Sequence, residues 1–329
     1  MITVEHLTKR YGDFTAVDDL SFEIGEGHVY GFLGPNGAGK STTMNMMTGC
    51  LSATEGSIRI DGYDIFEQPQ QAKKRIGYLP EHPPLYLAET PVEYLTFVGE
   101  AKGLRRQELN RKIQEVLSLT KLDPMKNRRI SALSKGYQQR VGIAQALLGD
   151  PKIIILDEPT VGLDPIQIIE IRDLIKELGQ THTVIFSSHI LSEVQAICDQ
   201  ILMIAHGKLV AFDDPQSLEQ KLLSPNEITL TTDASEEELR KILADVDHIT
   251  GLEMNVENSG LSCAHIKTDC GDIYAVSRAV FLTFSNSGYA ILEMSLKKGS
   301  LEDVFLELSE AAEETETIEP PAEEEVERE

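Results

Sequence analysis

Residues 34–42 read Gly-Pro-Asn-Gly-Ala-Gly-Lys-Ser-Thr, and their flanks restrict what the chain can fold into. An apolar run, Val29-Tyr30-Gly31-Phe32-Leu33, precedes the segment, and a helix-compatible run, Ser41-Thr42-Thr43-Met44-Asn45-Met46-Met47, follows it. A strand, a glycine-rich turn and a helix N-terminus in this order make a cradle for phosphate. Gly34, Gly37 and Gly39 let backbone N–H groups converge on an anion, with Pro35, Asn36 and Ala38 completing the loop and Thr42 closing the motif. Lys40 is placed to reach β- and γ-phosphates, and the Ser41 hydroxyl to complete a Mg²⁺ shell. The segment predicts binding of a nucleoside triphosphate.

The chain has 329 residues and a formal net charge of −24. Its length predicts about two domains, and an apolar content of 41% is ample for a core. The N-terminus, Met1-Ile2-Thr3-Val4-Glu5-His6, lacks the basic-then-apolar layout of a secretory signal. No apolar run approaches the ~20 residues needed to span a bilayer. The chain is therefore expected to be soluble and to reach a membrane only through a partner. Cys50, Cys198, Cys263 and Cys270 are scattered, which fits reduced thiols in the cytosol and neither a zinc site nor a disulfide framework. The acidic balance argues against non-specific nucleic-acid binding, which needs clustered Lys and Arg.

Residues 1 to about 82 read as strand-rich, with strands at Ile2–Val4, Ser21–Ile24, Val29–Leu33, Ser57–Ile60 and Ile76–Leu79. A helical segment follows, from about 83 to 150. Thr90-Pro91-Val92-Glu93 fits a capping box with Pro in the first turn, and Leu109–Leu119 and Val141–Leu148 are apolar at helical spacing. Strands are expected again at Ile153–Leu156, Thr183–Phe186, Gln200–Ile204 and Leu209–Phe212, with helices at Ile166–Leu178 and Leu191–Ile197. The first domain is thus α/β with a mainly parallel sheet and a helical insertion, ending near Asp213-Asp214-Pro215 at residue 215. Residues 216–309 read β-α-β-β-α-β, the ferredoxin-like arrangement of a small accessory module, with a last helix at Leu301–Leu308. Residues 310–329 hold ten Glu and one Arg and lack a core pattern, which predicts a disordered acidic tail.

More than a hundred residues past the phosphate loop, the apolar run Ile153-Ile154-Ile155-Leu156 ends in Asp157-Glu158. Asp157 can hold Mg²⁺, and Glu158 can poise water for in-line attack on a γ-phosphate. Leu133-Ser134-Lys135-Gly136-Tyr137-Gln138-Gln139-Arg140 resembles the L-S-G-G-Q-x-Q-R signature of ATP-binding cassette (ABC) ATPases. Ser134, Gly136 and a helix N-terminus would form a second anion site. Such a site makes sense if it closes on the nucleotide of another subunit, so that two copies sandwich two ATP molecules. The resemblance covers roughly residues 1–215. It places Tyr11 where the family stacks an aromatic on adenine, and Gly162-Leu163-Asp164 at the interface-crossing D-loop. It also gives His189, after Ser187-Ser188, the role of the switch histidine that senses the γ-phosphate. Taken alone, Tyr11 also reads as a core aromatic and His189 as a structural histidine; their order and spacing favour the family roles.

Two positions depart from the family. Glu81, after Gly77-Tyr78-Leu79-Pro80, stands where the family has Gln; it is a Mg²⁺ ligand through oxygen or a structural and coupling residue. In the signature, Lys135 and Tyr137 replace Gly and Gln, while Ser134 and Gly136 are retained. No long coiled-coil insertion lies between Lys40 and Ser134, and there is one phosphate loop and one signature, unlike the DNA-repair and ribosome-acting branches. The Gly77-Tyr78-Leu79-Pro80-Glu81 run, the Lys135-Gly136-Tyr137 signature and Leu301-Glu302-Asp303-Val304-Phe305-Leu306-Glu307-Leu308 resemble the ABC-2 exporter group, which includes drug-resistance and gliding-motility ATPases. This resemblance implies an ATP- and Mg²⁺-dependent ATPase subunit acting as a homodimer, or as a heterodimer with a second ABC ATPase. Its partner would be a multi-span membrane permease, holding it in the cytoplasm at the inner face of the membrane. The Pro83-Pro84-Leu85-Tyr86-Leu87 segment would face that permease or pack within the helical segment. Another class of reading keeps the ATPase as a switch on a soluble partner; a GTP switch is disfavoured because no N-K-x-D motif appears.

Overall fold

The computed structural model describes residues 1–222, 226–244, 246–256, 261–270, 272–297 and 305. The chain forms two compact units, one from Met1 to Ser217 and another beginning at Leu218. Phe305 apart, the expected helix over 301–308 and the tail over 310–329 fall outside the described residues.

The first unit opens with β1 (Ile2–Tyr11) and β2 (Phe14–Ile24), an antiparallel pair much longer than their apolar patterns suggest. Register shifts between Val4 and Leu7 and again up to Arg10 break the two-residue alternation. His6 and Asp19 adopt left-handed φ values of 51° and 54° at these irregularities. Alternation is the sequence signal for a half-buried strand, so a bulged strand hides it. The strand β3 (Val29–Leu33), with every residue buried, leads into α1 (Lys40–Met47). Next come β4 (Glu55–Ile60), β5 (Tyr63–Asp64), α2 (Pro69–Lys73) and β6 (Ile76–Leu79). The antiparallel sheet runs β2-β1-β4-β5, and Phe22 from it meets Phe32 of β3 edge-on at 5.6 Å in a shared core.

The helical insertion contains α3 (Pro91–Ala101), α4 (Arg106–Leu119) and α5 (Lys135–Leu147). The capping box at α3 forms: Thr90 Oγ1 accepts from Glu93 N at 3.3 Å, and Glu93 Oε2 accepts from Thr90 N at 2.8 Å. Such a cap contributes about 1 kcal/mol. The helix read from Val141 begins six residues earlier, at Lys135, because Ser134 caps it.

Then follow β7 (Ile153–Leu156), α6 (Pro165–Leu178), β8 (Thr183–Ser188), α7 (Leu191–Ile197), β9 (Gln200–Ala205) and β10 (Lys208–Asp213). The second sheet has the order β10-β9-β3-β8-β7-β6, parallel except for the β9–β10 hairpin. Parallel strands end at one edge of a sheet, where ligands bind in open α/β folds. That edge collects the loops after Leu33, Leu79, Leu156 and Ser188.

Asp213-Asp214-Pro215 opens a helix, α8 (Pro215–Leu222): Asp214 Oδ1 accepts from Gln216 N and Ser217 N, both at 3.0 Å. The second unit contains β11 (Asn226–Thr232), α9 (Glu236–Leu243), β12 (Ile249–Val256), β13 (Ser262–Thr268), α10 (Ile273–Ser287) and β14 (Ile291–Lys297). Its antiparallel sheet, in the order β12-β13-β11-β14, has the split β-α-β topology of the ferredoxin-like fold. Ile228, Leu230 and Ile266 from the sheet pack on Leu239, Val276 and Phe284 from the helices.

Candidate nucleotide site

The Gly34–Thr42 loop is fixed from two sides. Gly39, the residue before α1, has φ +100°, and a Cβ there would lie 2.6 Å from the Ala16 carbonyl oxygen of β2. A Cβ on Gly34 would lie 2.3 Å from the Ile204 carbonyl oxygen of β9. Neither position accepts a side chain, so the loop backbone follows a path that only glycine permits. Ala38 N donates to Pro35 O at 3.3 Å, and the turn is tied to the β9–β10 hairpin through Gly207 N to Ala38 O at 3.1 Å. Asn36 and Gly37 stay exposed at its rim, and Ser41 and Thr42 are half-buried.

Lys40 is only 5% exposed. Its ammonium donates to the Gly34 and Pro35 carbonyls at 2.9 and 3.1 Å and lies 3.5 Å from Glu158 Oε1. Burial lowers its pKa, while Glu158, Asp157 and Glu81 pull the other way. A phosphate arriving here meets a partly desolvated cation and unpaired helix N–H groups, an arrangement that favours anions.

Asp157 is 2% exposed, and its Oδ1 accepts from Ser187 Oγ at 2.6 Å and from Ser41 Oγ at 3.1 Å. Burial raises its pKa, opposed by these two hydroxyls. Glu158 has φ +46°, a left-handed conformation costly for a glutamate, of order 1–3 kcal/mol. Its N–H donates to Ser187 Oγ at 2.7 Å, and its Oε2 lies 3.0 Å from His189 Nδ1. A carboxylate can only accept, so Nδ1 carries the proton. Lys40, Ser41, Asp157, Glu158 and His189, far apart in sequence, thus meet at one sheet edge. Glu81 stands at the margin, half-exposed, where its charge acts on Lys40 and Asp157.

The fit of this set to Mg²⁺ rests on its chemistry. Ser41 and Asp157 offer hard oxygen donors, and Asp157 is a buried carboxylate whose Oδ1 already accepts from two hydroxyls. Among the described residues, no group of three or more His, Cys, Asp or Glu side chains is placed to hold a metal. Mg²⁺ typically takes one or two carboxylates and completes its shell with phosphate oxygens and water.

The signature residues form a separate surface. Ser134 is exposed and caps α5, its Oγ accepting from Tyr137 N at 3.4 Å, while Gly136 is buried against Gln167 of α6. The Lys135 side chain lies over Gly162, so this departure from the family fills the space beside the Gly162-Leu163-Asp164 loop. The Asp164 carboxylate caps α6, accepting from Ile166 N at 3.1 Å and Gln167 N at 2.9 Å. Tyr11, at the β1–β2 turn, is 44% exposed and is no core aromatic; Lys9 Nζ lies 5.0 Å from its ring centre.

Sequence reasoning gave no role to Ser187, Thr160 or Glu193. Buried Glu193 receives hydroxyls from Thr160 at 2.7 Å and Ser188 at 3.0 Å. Its place four residues after His189 carries no recognisable spacing signal; the contact exists only once α7 folds over the strand ends.

Fold and site together define a P-loop ATPase of the cassette type. The ABC transporter family profile matches residues 17–161. The chain is 34% identical to YxlF, an ABC transporter ATP-binding protein of Bacillus subtilis, over 94% of this chain and 100% of that one. It is 31% identical to the Nod factor export ATP-binding protein I of Ralstonia nicotianae, over 94% of each. The dimeric post-hydrolysis structure of the ATP-binding cassette MJ0796 with ADP and phosphate superposes with a TM-score of 0.59 at 27% identity, covering 65% of this chain and 98% of that one. The chain belongs to the ABC transporter ATP-binding protein family. No helix among its described residues is long and apolar enough to cross a membrane.

Proposed function

We propose that the chain binds and hydrolyses ATP with Mg²⁺ and couples this to the movement of a separate membrane subunit, in the direction of export. The observation that carries the reading is the cluster of Lys40, Asp157, Glu158 and His189 behind a glycine loop open to an anion. The Gly34–Thr42 backbone and Lys40 hold the β- and γ-phosphates. Ser41 and Asp157, with Glu81 at the margin, would hold the cation, which when bound would supply charge neutralisation at the phosphates. Glu158 accepts a hydrogen bond from the attacking water and takes its proton as the P–O bond to ADP breaks. His189 holds the Glu158 carboxylate through Nδ1–H and turns its other face toward the γ-phosphate. Positioning and charge stabilisation supply most of the catalysis in such sites.

Tyr11 stacks on the adenine. Ser134, Gly136 and the loop ending at Asp164 complete the nucleotide site of a second copy or of a second ABC ATPase. The dimeric cassette similar to this chain, captured with ADP and phosphate, supports that arrangement. Export is supported by the Nod factor export protein among the relatives. Tyr86, whose ring packs on Tyr94 and Phe97 at 5.6 and 5.2 Å, stands half-exposed beside Leu87 and Phe97. Such an apolar patch fits the membrane subunit. Light scattering of the Glu158→Gln protein with ATP tests the reading: an ATP-locked dimer without turnover is expected, and an active monomer overturns it.

A further inference from the structure

Ser187 is fully buried at the end of β8, the strand lying between the phosphate-loop strand β3 and the carboxylate strand β7. Phe186 pairs with Leu156, which sets Ser187 beside Asp157. A hydroxyl has one proton to give and lone pairs to receive. Ser187 Oγ gives its proton to Asp157 Oδ1 at 2.6 Å and receives the Glu158 N–H at 2.7 Å. Ser41 Oγ donates to the same Oδ1 at 3.1 Å, so both hydroxyls converge on one carboxylate oxygen. A single serine thus sets the rotation of one acidic side chain and clamps the left-handed backbone, φ +46°, that aims the next.

We infer that Ser187 is a positioning residue for the reaction: it presents Asp157 to the cation and holds Glu158 in line for the water. This rests on the ATPase reading above. Partners that orient ligating carboxylates typically govern metal affinity or activity by about 10- to 100-fold. Its neighbour Ser188 is equally buried but serves another contact, donating to Glu193 at 3.0 Å and accepting from Ile190 N at 3.0 Å. The adjacent serines therefore separate orientation of the acidic pair from ordinary packing.

The test uses the full chain and two readouts: Mn²⁺ binding in the presence of ADP, followed by electron paramagnetic resonance, and the Mg²⁺ dependence of ATP hydrolysis. In Ser187→Ala the Mn²⁺ midpoint rises and kcat falls, each by about 10- to 100-fold, while ADP affinity in EDTA stays within about twofold. Ser187→Thr, which keeps a hydroxyl, returns the Mn²⁺ midpoint toward wild type. Ser188→Ala lowers Tm without moving that midpoint. Should Ser187→Ala not fold, Ser187→Cys serves in its place, since its weak acceptor sulfur shifts the midpoint in the same direction. An unshifted midpoint in the folded Ala or Cys variant overturns the assignment, as does an equal shift in Ser188→Ala. Wild-type protein that binds ADP but neither binds Mn²⁺ with it nor hydrolyses ATP overturns the ATPase reading instead.

Discussion

His189 Nδ1 lies 3.0 Å from Glu158 Oε2, joining the end of β8 to the strained residue at the end of β7. Glu158 also faces Lys40 at 3.5 Å, so its carboxylate is held between an ammonium and an imidazole. Removing the imidazole frees the carboxylate to swing toward the ammonium. His189→Ala is therefore expected to lower kcat by about 10²-fold, in the range of losing a positioned catalytic group. ATP affinity measured by equilibrium binding should change by less than about threefold. A drop in affinity with kcat unchanged would show that His189 acts on binding alone.

Lys40 carries a different burden. Its buried ammonium is satisfied by the Gly34 and Pro35 carbonyls, which a neutral Met leaves without that donor. The charged contact to phosphate is worth about 1.5–3 kcal/mol. Lys40→Met should weaken ATP binding by about 10- to 100-fold in isothermal titration. Unchanged affinity would sink the assignment of the loop as the phosphate cradle.

The legibility of this site followed the range of the interactions. Gly34–Lys40 was readable because a phosphate cradle is local: a strand, a turn and a helix start within fourteen residues, Val29 to Thr42. Asp157-Glu158 was readable because a fully buried strand is a continuous apolar run. The long β1 and β2 were not, since bulges near His6 and Asp19 destroy alternation. Ser187, Thr160 and Glu193 were not, because their hydrogen bonds cross 29 to 33 positions and depend on which strands are neighbours. The helix at Pro215 looked like a boundary because Asp-Pro marks turns and helix starts alike.

Asp157 makes stability depend on pH with a definite sign. Burial raises its pKa above the ordinary 3.8, so in the window from 3.8 upward the folded chain without nucleotide binds more protons than the unfolded chain. Stability then falls as pH rises through the folded-state pKa. Asp157→Asn removes the penalty and should raise the nucleotide-free Tm at neutral pH by about 2–4 °C, corresponding to about 1 kcal/mol. The gain should shrink toward pH 4. Adding Mg²⁺ and ADP reverses the order, because the cation favours the carboxylate. A gain that is independent of pH, measured by calorimetry across pH 4–8, would remove Asp157 as its source.

Ser134 is exposed and caps its own helix, next to Lys135, whose side chain lies over Gly162. If the turn at Ser134 completes a second copy's site, a bulky cation there blocks closure but leaves the phosphate loop intact. Ser134→Arg should therefore bind ATP within about threefold of wild type yet lose hydrolysis. Combined with Glu158→Gln, it should stay monomeric with ATP where Glu158→Gln alone dimerises. The loss of one cap costs about 1 kcal/mol, too little to unfold the helix, so Tm distinguishes blocked closure from misfolding. Mixing Ser134→Arg with Lys40→Met separates the halves of the composite site. One site of the mixed dimer would pair an intact phosphate loop with an intact turn, so part of the lost hydrolysis should return. No recovery in mixtures shown by light scattering to contain mixed dimers would mean that the two surfaces do not meet across copies.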